Sequence, residues 1–144
     1  MNIVPARKGT RHVRATITFD GTSGKGLAGT VVPVFTTVGK VLVHYITAFC
    51  TTLLDQAAAT AQVSLGTTSQ VIRFVAATNS IDIDQNEWWV TGTPTVGSID
   101  TPDACQNVLV SENIIINPTT QNTNAGVLVV DCEFEPISDD GALS

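Results

Sequence analysis

Positive charge is scarce in this sequence. The 144 residues include seven lysines and arginines against 13 aspartates and glutamates, and from Val41 onward Arg73 is the single base. The formal net charge of −6 argues against a nucleic-acid-binding domain, whose usual footprint is a basic patch. We therefore expect no nucleic-acid partner.

Charge of either sign is also low. Charged residues make up 14% of the chain, well below the ~25% typical of soluble domains. Two interpretations stay open at this point. Much of the surface faces other protein subunits, or the surface is polar but uncharged, because threonine, asparagine, serine and glutamine are abundant.

Cysteine pairs and long apolar runs are missing as well. Cys50, Cys105 and Cys132 form an odd set within apolar stretches, which indicates buried free thiols and folding in a reducing cytoplasm. No apolar run approaches the ~20 residues of a membrane helix, and no segment has the order of a signal peptide. We expect one domain and no membrane partner.

The sequence contains two segments that resemble ligand-binding motifs, but each lacks residues that the motif requires. Residues 21–26 resemble a phosphate-binding loop. The motif needs glycine where Phe19 stands, and it needs serine or threonine where Gly26 stands. Residues 82–87 resemble the start of a calcium loop, but Glu87 and Thr93 stand where glycine and glutamate belong. We therefore predict no catalytic, cofactor or metal site, and a protein that is not an enzyme.

Two β-prone runs dominate the sequence. Residues 31–35 and 41–50 are rich in β-branched and aromatic side chains, and Gly39 between them can take a positive φ. We predict that these runs form an antiparallel hairpin around which the chain is organised. Pro33 lacks an N–H and therefore predicts an edge strand or a bulge.

Further strands follow from period-two alternation at 13–19 and 126–136. Residues 51–60 are compatible with one or two helical turns, but no cap or sustained 3.6-residue period supports a long helix. About eight strands with close turn signals predict an all-β, single-domain β-sandwich or barrel, jelly-roll-like, at residues 13–137. Jelly roll and a more open barrel remain alternatives. Residues 138–144 are expected to form a polar tail that leads away.

Residues 1–12 are predicted to form an extended basic arm, which docks either on its own acidic body or on an acidic neighbour. The adjacent tryptophans should point to opposite faces of a strand, one into the core and one towards a covering loop or a partner. The candidate protein-interface residues are Arg7, Lys8, Arg11, Arg14, Trp88 and Trp89.

Several segments resemble auxiliary capsid proteins of tailed bacteriophages, known as head decoration or cement proteins. They include Gly-Lys-Val-Leu-Val at 39–43 and Cys-Glu-Phe-Glu-Pro-Ile-Ser at 132–138. The remaining matches are at 29–36, 64–67, 76–78, 82–84, 87–88, 140–141 and 143. The basic arm lies outside the resemblance.

The resemblance implies a structural virion protein on the outer surface of an icosahedral head, made in the bacterial host cytoplasm. It would cement adjacent major capsid subunits, and such proteins are often trimers. A cofactor would not be needed. The alternative from another functional class is a receptor- or glycan-binding β module of a tail fibre or baseplate, for which Trp88 or Trp89 would be the contact residue.

Overall fold

The computed structural model describes residues 9–56 and 60–144. Within these ranges the chain forms twelve strands, four of which have only two residues, and two 3-10 helices at Ser80–Asp82 and Asp103–Cys105. Eight strands are therefore longer than two residues. The strands are β1 (Arg11–Thr18), β2 (Val32–Phe35), β3 (Thr37–Val38), β4 (Val41–Gln56), β5 (Gln62–Thr67), β6 (Val75–Asn79), β7 (Glu87–Trp88), β8 (Thr95–Val96), β9 (Gln106–Val110), β10 (Ile114–Thr119), β11 (Thr123–Pro136) and β12 (Ala142–Leu143).

Two antiparallel sheets make up the domain. The larger has six strands in the order β1-β11-β4-β7-β8, with β9 also paired to β4. The smaller has four strands in the order β2-β10-β5-β6, and β3 pairs with β12 in a separate two-stranded ribbon. The predicted all-β sandwich is confirmed.

A single hydrophobic core holds the two sheets together, because strands of both sheets send alternate side chains into it. Trp89 follows β7 and connects the sheets directly. Its backbone N–H donates to Ala48 O of β4 at 2.8 Å, and its indole N–H donates to Thr78 Oγ1 of β6 at 2.9 Å. The larger sheet contributes Ile17, Val43, Ile46, Ala48, Cys50, Leu128, Val130, Cys132 and Phe134, and the smaller contributes Val32, Val63, Leu65, Val75, Ile114 and Ile116.

The predicted central hairpin is wrong. β2 pairs with β10 in the smaller sheet, whereas β4 pairs with β11, β7 and β9 in the larger one. The chain does turn at Gly39, whose φ of 61° confirms the predicted positive value. The turn, however, carries the chain from one sheet to the other, so both runs fill the same core from opposite sides. Pro33 is on an edge strand with an irregular register, as predicted.

The helical turns with which 51–60 was compatible do not form in the part of this segment that the structure describes. β4 continues as a strand to Gln56 and pairs with β11 through Thr52, Asp55 and Gln56. Backbone pairing across the sheet thus overrides the helical preference of Leu53 and Leu54. Residues 57–59 lie outside the described part of the chain.

The C-terminal residues do not lead away from the domain. β12 pairs with β3, and Leu143 is buried. Thr36 N–H donates to Ser144 O at 2.7 Å, and Ser144 N–H donates to Thr36 O at 3.0 Å. Ser138 Oγ also accepts the N–H of Lys40 at 2.8 Å. These bonds fasten the chain end to the ribbon.

Candidate interface surfaces

The outer face of β11 carries a row of three carboxylates, Asp131, Glu133 and Glu135, which alternate with core residues. Asp131 is already occupied within its own chain. Arg14 of β1 donates from Nε to Oδ1 at 2.8 Å and from Nη2 to Oδ2 at 3.2 Å. His12 Nε2 lies 2.9 Å from the same Oδ1. The hydrogen bond to Asp131 raises the pKa of Arg14.

Glu133 and Glu135 have weaker interactions with neighbouring side chains than Asp131 has. Burial and the neighbouring Glu133 carboxylate raise the pKa of Tyr45, which lies opposite Glu133. His44 Nε2 is 3.8 Å from Glu135 Oε2. Within the described residues, neither glutamate is paired with a lysine or arginine. This part of the row therefore lacks the basic partner that Arg14 gives to Asp131.

The two tryptophans separate as the alternation predicts. Trp89 is 0% exposed and belongs to the core, so Trp88 is the one that a partner can reach. Trp88 is half-buried on the outer face of the larger sheet, directly opposite Phe49 of β4. The two rings meet edge to face, with centroids 4.8 Å apart and 61° between their planes.

The predicted basic arm is only partly described. Arg7 and Lys8 lie outside the described residues, and β1 begins at Arg11, before the predicted arm ends. Arg11 is exposed and lies opposite Phe134 near the end of β11. Because Pro136 pairs with Val41, Arg11 is at the end of the larger sheet where β4 begins and where the arm enters the domain.

The same end of the sheet carries an apolar surface that the sequence reasoning missed. Leu109 is 74% exposed on β9, whose one partner among the described strands is β4, and it lies opposite the half-buried Leu42. Ile137 is 50% exposed, and a depression of about 180 Å³ separates it from Leu109, with Lys40 at its rim. We call Lys40, Leu42, Leu109 and Ile137 the Leu109 patch. The signal in the sequence was a Val-Leu-Val run, which places apolar side chains on both faces of β9.

A second, polar depression of about 280 Å³ lies on the other side of Leu109 and contains Arg73 and Glu112. Ser69 donates to Glu112 Oε1 from Oγ at 2.5 Å and from its backbone N at 3.2 Å, which lowers the pKa of Glu112. Arg11, Lys40 and Arg73 therefore all lie around one end of the domain. Sequence reasoning had no access to this grouping, because the three bases are far apart along the chain.

The cation-binding motifs considered in the sequence do not form a site in the described residues. No three histidine, cysteine, aspartate or glutamate side chains there form a group able to hold a metal ion. The segment that resembles a calcium loop is a turn in which Asp84 N–H donates to Glu87 Oε2 at 2.8 Å. All three cysteines are buried free thiols, as predicted. None of the described helices has the length and apolar character to cross a bilayer.

Comparison with known proteins gives one structural relationship. No protein-family model matches the chain, and no curated protein sequence matches it. A solved structure with a similar fold is a chain of the "Cyanophage Pam1 capsid asymmetric unit". The TM-score is 0.56 at 11% sequence identity, and the match covers 94% of this chain and 90% of that chain. At this identity the likeness shows a shared fold.

Proposed function

We propose that this protein is a structural component of a tailed-phage virion. In this proposal it binds the outer surface of the icosahedral head, joins adjacent major capsid subunits as a homotrimer and thereby stabilises the capsid. It performs no catalysis, and its action depends on the area and the charge that it presents to its neighbours.

The fold likeness to a chain of a cyanophage capsid is the observation that carries the proposal. It extends over 94% of this chain and 90% of the other. The likeness therefore extends over nearly all of this chain and most of the cyanophage chain. The low charge content of 14% supports the same interpretation, since a surface that meets other subunits needs less charge than a free monomer.

The Leu109 patch is the surface that we assign to the capsid contact. An exposed leucine and isoleucine bring apolar area, worth about 25 cal/mol per Å² when removed from water. Arg11, Lys40 and Arg73 around the same end add positive charge on a protein with a net charge of −6. Glu112 beside Leu109 and Glu135 opposite Leu42 lie at the same end and offset these bases, so we base the capsid contact of the patch on its apolar area. Arg7 and Lys8 lie outside the described residues, and we propose that they contribute to docking through their charge.

Weak contacts suffice for such a protein if several are linked. In a trimer each docking event raises the effective concentration of the remaining contacts, so avidity exceeds the affinity of one site by a factor of ~10²–10⁴. A patch of a few side chains can then hold adjacent capsid subunits together.

The first experiment measures binding to heads stripped of this protein, with three purified variants. Leu109→Asp should lose most binding and most of the gain in head melting temperature. Removal of residues 1–8 should weaken binding in a salt-dependent way. A longer deletion through residue 14 is unsuitable, because Val13 of β1 packs against the core. Val96→Asp is the matched control, since Val96 is likewise an exposed aliphatic residue on a short strand.

Equal binding of Leu109→Asp and Val96→Asp would remove the patch from the contact. The number of copies in purified virions tests the wider proposal. A ratio to the major capsid protein near one to one fits a cement lattice. A few copies would contradict the cement role and favour the receptor-binding alternative at the tail, and native mass reports whether the protein is a trimer.

A further inference from the structure

A second concave surface lies on the outer face of the larger sheet, away from the Leu109 patch. It is a groove of about 290 Å³, at the lower end of the range of about 300–1,000 Å³ typical of ligand sites. We call it the Trp88 groove. Its lining residues are Arg14, Phe49, Thr51, Trp88, Val129 and Asp131.

Trp88 also borders a smaller depression on its other side. That depression measures about 130 Å³ and contains Thr47, Ile99 and Asp100. The indole of Trp88 thus stands between two hollows, and each hollow combines apolar side chains with one aspartate. A ligand that extends across Trp88 would meet an aspartate and apolar side chains on both sides, and an arginine in the larger hollow alone.

The polar groups of the groove are fixed before any ligand arrives. Arg14 and Asp131 hold each other through two hydrogen bonds, and Trp88 is held against Phe49. Because these side chains are already ordered, a ligand would not bear the entropic cost of immobilising them. Arg14 retains N–H groups that Asp131 does not use, and a carboxylate can accept about four hydrogen bonds, one more than Arg14 and the nearby His12 supply to Asp131.

We propose that the Trp88 groove binds a hexose unit of a polysaccharide. A hexose ring has C–H faces that pack on an aromatic side chain and a rim of hydroxyls that both donate and accept hydrogen bonds. Trp88 supplies the apolar platform, Asp131 accepts hydroxyl protons and Arg14 donates to hydroxyl oxygens. A phosphate or an acidic ligand fits less well, since Asp131 would repel it, and a purely apolar ligand would leave the ion pair unused.

The groove remains accessible if the Leu109 patch is docked. Leu42 of the patch and Phe49 of the groove are seven positions apart on β4, or roughly 23 Å at ~3.3 Å per residue. The hexose site therefore goes beyond the proposed capsid function and does not depend on it. A virion protein with both surfaces would contact the head at one end and a cell-surface polysaccharide with the other.

The test uses the isolated full chain and three soluble probes, maltohexaose, cellohexaose and mannohexaose, followed by calorimetry and by saturation-transfer NMR. We expect saturable binding of at least one probe, with saturation transferred from aromatic protons of the protein to the ring C–H protons of the sugar. Trp88→Ala and Asp131→Asn should each weaken that binding tenfold or more. Ile72→Ala is the control, because Ile72 is exposed and outside both hollows.

Absence of saturable binding with all three oligosaccharides would overturn the proposal. Binding by Trp88→Ala equal to that of the unmodified chain would also overturn it, as would an equal loss in Ile72→Ala. Fluorescence of the buried Trp89 reports whether each variant is folded, so a loss through unfolding is recognised. Failure here leaves the head-binding experiment untouched, and failure of head binding leaves this one untouched.

Discussion

Replacing Gly126 with alanine should strongly destabilise the domain. Gly126 lies in β11 with a φ of 112°, where the register against β4 is irregular on both sides of it. A Cβ at this position would lie 2.6 Å from Leu53 O and 2.7 Å from Leu54 Cα. Both contacts are to backbone of the longest strand, so neither can be relieved by turning a side chain.

Two costs add in this variant. A non-glycine residue in a sparsely populated backbone region costs about 1–3 kcal/mol, and overpacking against fixed neighbours costs about 1–3 kcal/mol more. We expect a loss of about 4 kcal/mol in the free energy of unfolding. Native domains have only about 5–15 kcal/mol in total, so the variant should unfold at much lower denaturant concentration.

Gly97→Ala separates the two costs. Gly97 has a φ of 90°, but a Cβ added there would have no atom within 4 Å, so only the backbone cost applies. Urea unfolding of both variants should show Gly126→Ala less stable by about 2 kcal/mol. A difference below about 0.5 kcal/mol, the scatter of ordinary surface substitutions, would refute the role of the contact with β4.

Two further predictions concern the core. Trp89→Phe should lower the free energy of unfolding by about 2 kcal/mol, through lost volume and the lost bond to Thr78. Trp88→Phe should cost less than about 1 kcal/mol, and equal costs in urea unfolding would contradict this assignment. Burial raises the thiol pKa of Cys50 and Cys105 to about 11 and that of Cys132 to about 12. Since unfolded thiols titrate near ~8.5, stability should fall as pH rises from there towards 11, and an unchanged urea midpoint across that interval would contradict it.

The strands that alternate strictly could be predicted from the sequence, because their pattern follows from one buried face. β1 and β11 both show this period, and the structure pairs them with each other. For the runs at 31–35 and 41–50, by contrast, the sequence pattern could not show that they do not form a hairpin. A turn at Gly39 predicts that the chain reverses, but two apolar runs on either side fit equally well in one sheet or in two sheets that face each other.

The candidate surfaces were harder to predict from the sequence than the strands. The separation of Trp88 from Trp89 follows from the alternation of a strand, and which of them enters the core depends on the partner strand. The Leu109 patch depends on the position of β9 beside β4, which is a property of the completed sheet. Arg14 was predicted to lie on the polar face of the strand at 13–19, and its register opposite Asp131 makes it part of the groove.

The order in which strands find their partners has a consequence for synthesis. β4 is the longest strand, and its partners β7, β9 and β11 all follow it in the chain. β1 is synthesised first but cannot pair until β11 is complete, because Arg11 pairs with Phe134. On a ribosome, sixteen largely apolar residues of β4 therefore emerge without a sheet to join. Such long-range pairing slows folding and exposes strand edges to aggregation, so the nascent chain depends on prompt completion or on chaperones until β11 has left the ribosome.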